Sequence, residues 1–292
     1  MSHPLPTIGF IGLGAMGGGM SRNVAAKHGG TVLAYDMNPE ALAATVAAGA
    51  VAAASVPEIG AKADIVLLSL PGGKQVAAVC EEIAAQARPG AIVVDLSTTG
   101  VDEARAVHAA LADKGIAFAD APVARARAAA DAGTLSIMVG ASEALFARIE
   151  PVLRYMGTDV TRCGEVGCGQ VVKLVNNSLL FEHVAALAEM MVVSERAGVP
   201  PATLLDVLAI SSADSFALRN HGMKAMLPRD FPEKAFPSPY VLKDLGYAIE
   251  MAEGTGVDAR MSKLAGEYYR AAVEQGIGAK YFPAIIELIG KA

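Results

Sequence analysis

Thr7-Ile8-Gly9-Phe10-Ile11-Gly12-Leu13-Gly14-Ala15-Met16-Gly17 is a short apolar run entering a G-x-G-x-x-G turn, and it constrains the fold more than any other segment. In such a strand–turn–helix, the first glycine permits the tight turn. The second lets backbone approach a pyrophosphate, and the third lets helix and strand pack closely. The helix N-terminus then offers N–H groups and the positive end of its dipole to the phosphates. An Ala/Gly-rich chain can also carry this pattern as a plain turn, so the next strand matters. Thr31-Val32-Leu33-Ala34-Tyr35-Asp36 ends in an acid, 19 residues beyond Gly17 (36 − 17). A carboxylate there accepts hydrogen bonds from ribose hydroxyls. The cofactor candidates are Gly12, Leu13, Gly14, Ala15, Met16, Gly17 and Asp36. Met37, Asn38 and Pro39 supply no cation for a 2′-phosphate, which Asp36 would itself repel, so NAD is favoured over NADP.

From Thr7 to about Arg162, apolar β-rich runs alternate with helical segments. Ile65–Leu68 and Ala91–Val94 are continuous apolar strands, as in a parallel sheet covered on both faces. Lys74–Ala85 reads as a helix between them, and Asn38-Pro39 as the start of one that runs to Ala48. Ile116–Ala119, Leu135–Val139 and Asp159–Thr161 supply further strands. Beyond Gly164 the strand signals stop. Val166–Arg196 reads as one helix roughly 45 Å long, followed by helices at Pro200–Ile210, Ser215–Met226, Val241–Glu253, Asp258–Gln275 and Phe282–Ile289. Leu227–Pro239, with four prolines, reads as a loop. The expected fold is a Rossmann-like, doubly wound α/β domain over residues 1–164. A long helix joins it to an all-helical domain over residues 165–292.

Composition narrows the function. The chain has 292 residues, 53% hydrophobic and 18% charged, which is globular rather than disordered. A net charge of −6 argues against nucleic acid and anionic membrane as partners. Residues 41–57 are uncharged yet too poor in large apolar groups to span a bilayer. No basic, apolar leader precedes Thr7, and three cysteines suit a reducing compartment. A cytoplasmic protein is expected. Cys163 and Cys168 have no histidine nearby, so no metal site is assigned.

A nicotinamide enzyme that acts on an alcohol needs an acid/base at the strand ends and groups that orient the substrate. Among the five histidines, His3 precedes the fold, and His28 and His108 read as surface residues. His183 lies about 80° from the Lys173 face at 100° per residue, and His221 stays open. A stronger candidate is Gly167-Cys168-Gly169-Gln170-Val171-Val172-Lys173-Leu174-Val175-Asn176-Asn177. Lys173 and Asn177 are i and i+4 on one helix face, with Asn176 beside them. Valines and a leucine flank Lys173, and an apolar setting draws a lysine pKa downward. The same residues also read as a snorkelling surface lysine beside two surface amides. Two further segments stand out: Asp120-Ala121-Pro122-Val123-Ala124-Arg125-Ala126, with Gly133-Thr134-Leu135 beyond it, and Lys243-Asp244-Leu245.

Together these segments resemble the β-hydroxyacid dehydrogenase family, which includes 3-hydroxyisobutyrate dehydrogenase and tartronate semialdehyde reductase. Four motifs agree in order and spacing from Thr7 to about Gln275. They are the turn at Gly12–Gly17, D-A-P-V…G-T-L, G-x-G-x-x-x-K-x-x-N-N, and K-D-L. The resemblance implies that Lys173 exchanges the hydroxyl proton while hydride passes to or from the nicotinamide. By the same resemblance Asn176 and Asn177 orient the substrate, and Lys243 closes over the cofactor. Leu70, Pro71, Ser97 and Thr98 would meet the nicotinamide half or the substrate. The implied substrate is a small β-hydroxy acid or its semialdehyde, and the implied assembly a homodimer or homotetramer.

One departure stands out. Where most relatives follow D-A-P-V with S-G-G, this chain has Ala124, Arg125 and Ala126. A guanidinium binds oxyanions in fork geometry, and the sulfolactaldehyde reductase branch is similar in having Arg at this point. That branch follows it with threonine, whereas this chain has Ala126. Arg125 therefore reads either as a ligand for a carboxylate or sulfonate head group or as a side chain turned to solvent. Two rivals remain: an imine reductase-like enzyme, against which Lys173 counts, and a dinucleotide-binding protein without turnover.

Overall fold

Strands covered on both faces need apolar side chains along their length, and in the computed structural model the central strand Ile65–Leu68 has them at all four positions. The structure describes residues 5–233 and 235–290, so His3 lies outside the described residues. β1 (Ile8–Ile11) enters the glycine turn and α1 (Gly17–Lys27). β2 (Val32–Tyr35) leads to α2 (Pro39–Ala47), which the Asn38 side chain caps by accepting the Glu40 N–H at 2.9 Å. Next come β3 (Val51–Ala52), α3 (Val56–Lys62), β4 (Ile65–Leu68) and α4 (Gly73–Ala84). β5 (Ile92–Asp95), α5 (Val101–Ala112) and β6 (Ala117–Asp120) complete this half. These six strands are parallel in the order β3-β2-β1-β4-β5-β6. The order reverses between β1 and β4, and a doubly wound sheet binds its ligand in the crevice at that switch point.

The chain then turns back. β7 (Val123–Ala124), α6 (Arg127–Ala132), β8 (Leu135–Gly140), α7 (Glu143–Leu153) and β9 (Gly157–Gly164) follow. β8 runs antiparallel to β6 and β7 and parallel to β9. A parallel neighbour for β6 would need a longer crossover helix than the six-residue α6. The sheet is therefore mixed at this edge. Phe10, Met20, Leu67 and Ile137 fill the core on one face, and Ile59, Val66, Ile83 and Phe118 fill it on the other.

α8 (Cys168–Arg196) is a single helix of 29 residues. The chain divides into two compact units, Met1–Lys173 and Leu174–Ala292, with the division inside this helix. Hydrogen bonds from the sheet unit hold the first turn of α8. By length and mean hydropathy of 1.2 the helix would qualify to cross a membrane. Its buried side chains Phe181, Val184, Ala188 and Met191, however, recur every three or four residues and join the second unit's core.

The second unit also contains α9 (Pro201–Leu208), a π-helical segment Leu218–Met226, α10 (Ser238–Gly254), α11 (Arg260–Glu274) and a 3-10 turn Phe282–Glu287. The π segment and the 3-10 turn replace two expected α-helices. Apolar periodicity does not report hydrogen-bond spacing, such as the Leu227 N–H to Gly222 carbonyl bond of 2.8 Å. Two histidines are worth placing. His108 is exposed as expected, but His28 is only 3% exposed. Its Nε2 lies 2.7 Å from the Pro6 carbonyl and its ring stands edge-on to Tyr155, so it anchors the entry to β1.

His221 is buried in the second unit. Its Nδ1 is 2.9 Å from the Tyr281 hydroxyl, and the rings of Phe216 and Phe282 pack on it. Burial, helped by Lys224, holds its pKa down at about 4 against an ordinary 6.5. A folded pKa below the unfolded one stabilises the fold above pH 6.5, and this contribution is lost as pH falls toward 4. Between pH 7 and pH 4.5 the wild type should lose roughly 2–3 kcal/mol through this group. Denaturant unfolding of His221→Gln should show that much less acid sensitivity, and equal pH dependence in both proteins would contradict the assignment.

Candidate active site

The glycines of the first turn divide their work. A Cβ on Gly12 would lie 2.2 Å from the Ser69 carbonyl oxygen, and one on Gly17 would lie 2.0 Å from the Gly12 oxygen. Both positions are closed by backbone, and Gly12 also has φ +90°, a conformation that favours glycine. A Cβ on Gly14 would meet nothing within 4 Å. The open surface lies there, beside the first turn of α1, which has no side-chain cap at Met16. This cradle suits a pyrophosphate held on backbone N–H groups at Ala15 and Met16. Asp36 leans over the same turn, accepting the Leu13 N–H at 2.5 Å and the Asn38 N–H at 2.7 Å. Its carboxylate therefore sits beside the cradle, where a ribose is expected.

The loops after β4 and β5 are tied to each other. The Leu70 N–H donates to Ser97 Oγ at 2.8 Å, and the Ser97 N–H donates to Asp95 Oδ1 at 2.9 Å. Ser97 is buried, Thr98 and Leu70 are half-buried, and Pro71 is exposed. All four candidates lie at the C-terminal ends of adjacent strands, the ligand side of a doubly wound sheet.

Gln170 joins these loops to α8. Its Oε1 accepts the Thr99 N–H at 3.2 Å and its Nε2 donates to the Ser97 carbonyl at 2.9 Å. Asp120 holds the same helical turn from below, accepting the N–H groups of Gly167 at 2.7 Å and Gln170 at 2.8 Å. Burial raises the Asp120 pKa, while these N–H bonds, with one from Gly169, pull it back in part. Contact explains the neighbouring glycines: a Cβ on Gly140 would lie 2.2 Å from Asp120 Oδ1, and one on Gly169 would lie 2.4 Å from the Met138 oxygen. Asp120 and Gln170 lay inside segments that the sequence singled out, but neither had a role assigned. The available signal was a buried-strand acid paired with a G-x-G turn that lacks its own N-cap side chain.

Along α8, Lys173 is 9% exposed and Asn177 is 6% exposed, one turn apart. The surface-lysine reading therefore fails for this helix. Val172 and Val175 are 41% and 46% exposed, so the burial of Lys173 does not come from these two valines. Asn176 is exposed, and its Nδ2 donates to Asn177 Oδ1 at 3.1 Å. In the second unit, Asn177 Nδ2 donates to Asp244 Oδ2 at 2.7 Å. Lys243 Nζ is 3.1 Å from Asp244 Oδ1 and 5.5 Å from the Tyr247 ring centroid. Asp244, which the sequence placed in the K-D-L motif without a role, is thus shared by two of the candidates.

Arg125 differs from its expectation. Its guanidinium donates to Asp159 Oδ2 at 2.7 Å, to Thr158 Oγ1 at 3.2 Å and to the Thr134 carbonyl. The fork is held at the β8–β9 edge, where a substrate anion would have to displace Asp159. Its backbone has φ +83°, a strained value for a side-chain-bearing residue. Ala124 lies in β7, and Ala126 precedes α6 without a side-chain cap. Among the described residues no three histidine, cysteine or acidic side chains cluster as a metal site, and the three cysteines are free.

Comparison with known proteins identifies the family and the fold. Residues 7–164 match the family described as the NAD binding domain of 6-phosphogluconate dehydrogenase. Residues 167–289 match the one described as NAD-binding of NADP-dependent 3-hydroxyisobutyrate dehydrogenase. The chain is 37% identical to 2-(hydroxymethyl)glutarate dehydrogenase of Eubacterium barkeri, over 96% of this chain and 94% of that one. It is 33% identical to NAD-dependent L-serine dehydrogenase of Pseudomonas aeruginosa, over 96% and 97%. The structure of Mycobacterium tuberculosis 3-hydroxyisobutyrate dehydrogenase with L-serine superposes at a TM-score of 0.90 and 33% identity, covering 97% of this chain and 99% of that one.

The Arg125 geometry yields a stability test. Arg125→Gly loses an exposed ion pair that contributes little but relieves the positive φ, whereas Arg125→Ala loses the pair and keeps the strain. Thermal unfolding should find the glycine variant more stable than the alanine variant by about 1 kcal/mol. An alanine variant as stable as the glycine one would contradict the strained backbone.

Proposed function

The chain belongs to the β-hydroxyacid dehydrogenase family and is an NAD-dependent oxidoreductase acting on a CH–OH group, and we propose that its substrate is a short acid of the form HOCH2–CH(R)–COO⁻. The names of its relatives support this class. 2-(Hydroxymethyl)glutarate, 3-hydroxyisobutyrate and L-serine each carry a primary alcohol one carbon from the carbon that bears the carboxylate. Only R differs among them.

The carrying observation is a lysine and an amide buried one helical turn apart, at Lys173 and Asn177. A lysine is seldom buried without a purpose that offsets its desolvation. In oxidation, Lys173 Nζ takes the proton of the substrate hydroxyl; in reduction, it returns that proton to the carbonyl oxygen. Bound NAD supplies the hydride acceptor at its nicotinamide ring. Asn177 holds the same oxygen in line with Lys173. Its amide cannot swing freely, because Asp244 accepts one N–H and Asn176 donates to the carbonyl. Backbone N–H groups around Ala124 and Ala126 receive the carboxylate, and Arg125 shapes that loop through Asp159. Lys243, beside Asp244, is assigned to the cofactor by its place in the K-D-L motif. Asp36 selects NAD at the ribose.

Lys173→Ala should lower kcat by about 10²–10⁴-fold, the usual contribution of a general acid/base, with NAD affinity retained. Turnover near wild type would contradict the role. A panel of NAD-linked oxidations separates the substrate class: 3-hydroxyisobutyrate, L-serine, glycerate and 2-(hydroxymethyl)glutarate should include the fastest substrate. Faster oxidation of 4-hydroxybutyrate or 2,3-dihydroxypropanesulfonate would overturn the class.

A further inference from the structure

Gln170 is wholly buried, yet nothing in the chemistry above uses its side chain. It lies three positions before Lys173, which puts both on adjoining parts of one helix surface. Its amide meets the loop after β5 as a neighbouring strand would. The carbonyl oxygen takes the Thr99 N–H at 3.2 Å, and the amide N–H gives to the Ser97 carbonyl at 2.9 Å. Through Ser97 Oγ, which accepts the Leu70 N–H at 2.8 Å, the same contact reaches the loop after β4. Its own backbone N–H is held by Asp120 at 2.8 Å. Residue 170 is therefore fixed from both its main chain and its side chain, and each partner belongs to the unit that ends at Lys173.

We infer that Gln170 is a positioning residue that sets the register of α8, and so of the Lys173 amine, against the two loops after β4 and β5. The inference rests on the acid/base reading of Lys173. Lysine has a long, flexible stem, so its Nζ is placed only as well as the backbone from which it springs. A displacement of about 1 Å can cost on the order of 10²-fold in rate. Other side chains at 170 make the point. Glutamate has the right length, but it would put a carboxylate oxygen against the Ser97 carbonyl. Asparagine keeps both hydrogen-bonding groups on a stem shorter by one carbon–carbon bond, about 1.5 Å. With asparagine, either the pair of bonds is lost or the helix moves toward the loop.

The test is a double-mutant cycle on the intact enzyme with NAD and the fastest of the four HOCH2–CH(R)–COO⁻ acids named above. Gln170→Asn should lower kcat by about 10–100-fold, with NAD affinity little changed. Deuterium at the carbinol carbon should slow the variant more than the wild type, because hydride transfer then limits turnover. In a Lys173→Ala background the same substitution should cost almost nothing further, since there is no amine left to place. An equal loss in both backgrounds would make Gln170 merely structural and overturn the inference. Unchanged turnover of Gln170→Asn beside a severely slowed Lys173→Ala would overturn it alone. Near-wild-type turnover of Lys173→Ala would overturn the acid/base reading as well. Should Gln170→Asn fail to fold, Gln170→Glu, which keeps the acceptor for Thr99, is read in the same cycle.

Discussion

Asp120 ends β6 with a carboxylate that is wholly buried. Burial alone would make such a group costly to ionise, and its pKa is indeed raised. What keeps it there is the first turn of α8, whose N–H groups have no intrahelical acceptors and turn toward it. A helix N-terminus and an acid each satisfy the other's need, through charge-assisted bonds stronger than neutral ones. Glycines at 140 and 169 follow from that approach, because a methyl group at either would collide with Asp120 or with the Met138 backbone. With this contact in place, the residues that follow in α8 have a fixed origin, and Lys173 is one of them.

The second unit repeats the device with different groups. Asp244 lies 3% exposed at α10 and receives the Asn177 amide, with Lys243 at its other oxygen. A carboxylate at this point fixes which way the amide faces, leaving the Asn177 carbonyl toward Asn176. In each unit a buried acid accepts hydrogen bonds that fix the orientation of its neighbours.

Much of this was legible in the sequence where one local rule decides the outcome. The turn at Gly12–Gly17 and the continuous strands Ile65–Leu68 and Ile92–Asp95 need only nearest neighbours, as does the uninterrupted α8. The rest depends on partners far along the chain. Arg125 meets Asp159, 34 residues away, so its fork could not be read as engaged. His28 looked superficial because its partners, Pro6 and Tyr155, lie outside its own helix. β7 and α6 are too short for periodicity to reveal. Gln170 and Asp244 sat within recognised motifs, but their hydrogen bonds to Ser97, Thr99 and Asn177 appear only when the elements are packed.

The central claim is that the amine of Lys173 carries the proton, and chemical rescue tests it most directly. Lys173→Ala should regain turnover when small primary amines are added, with a rate that rises with amine concentration. Among amines of similar size it should follow their basicity, as general acid/base catalysis requires. Turnover of Lys173→Ala that stays flat across amine concentration and basicity, in a protein that still binds NAD, would contradict the account.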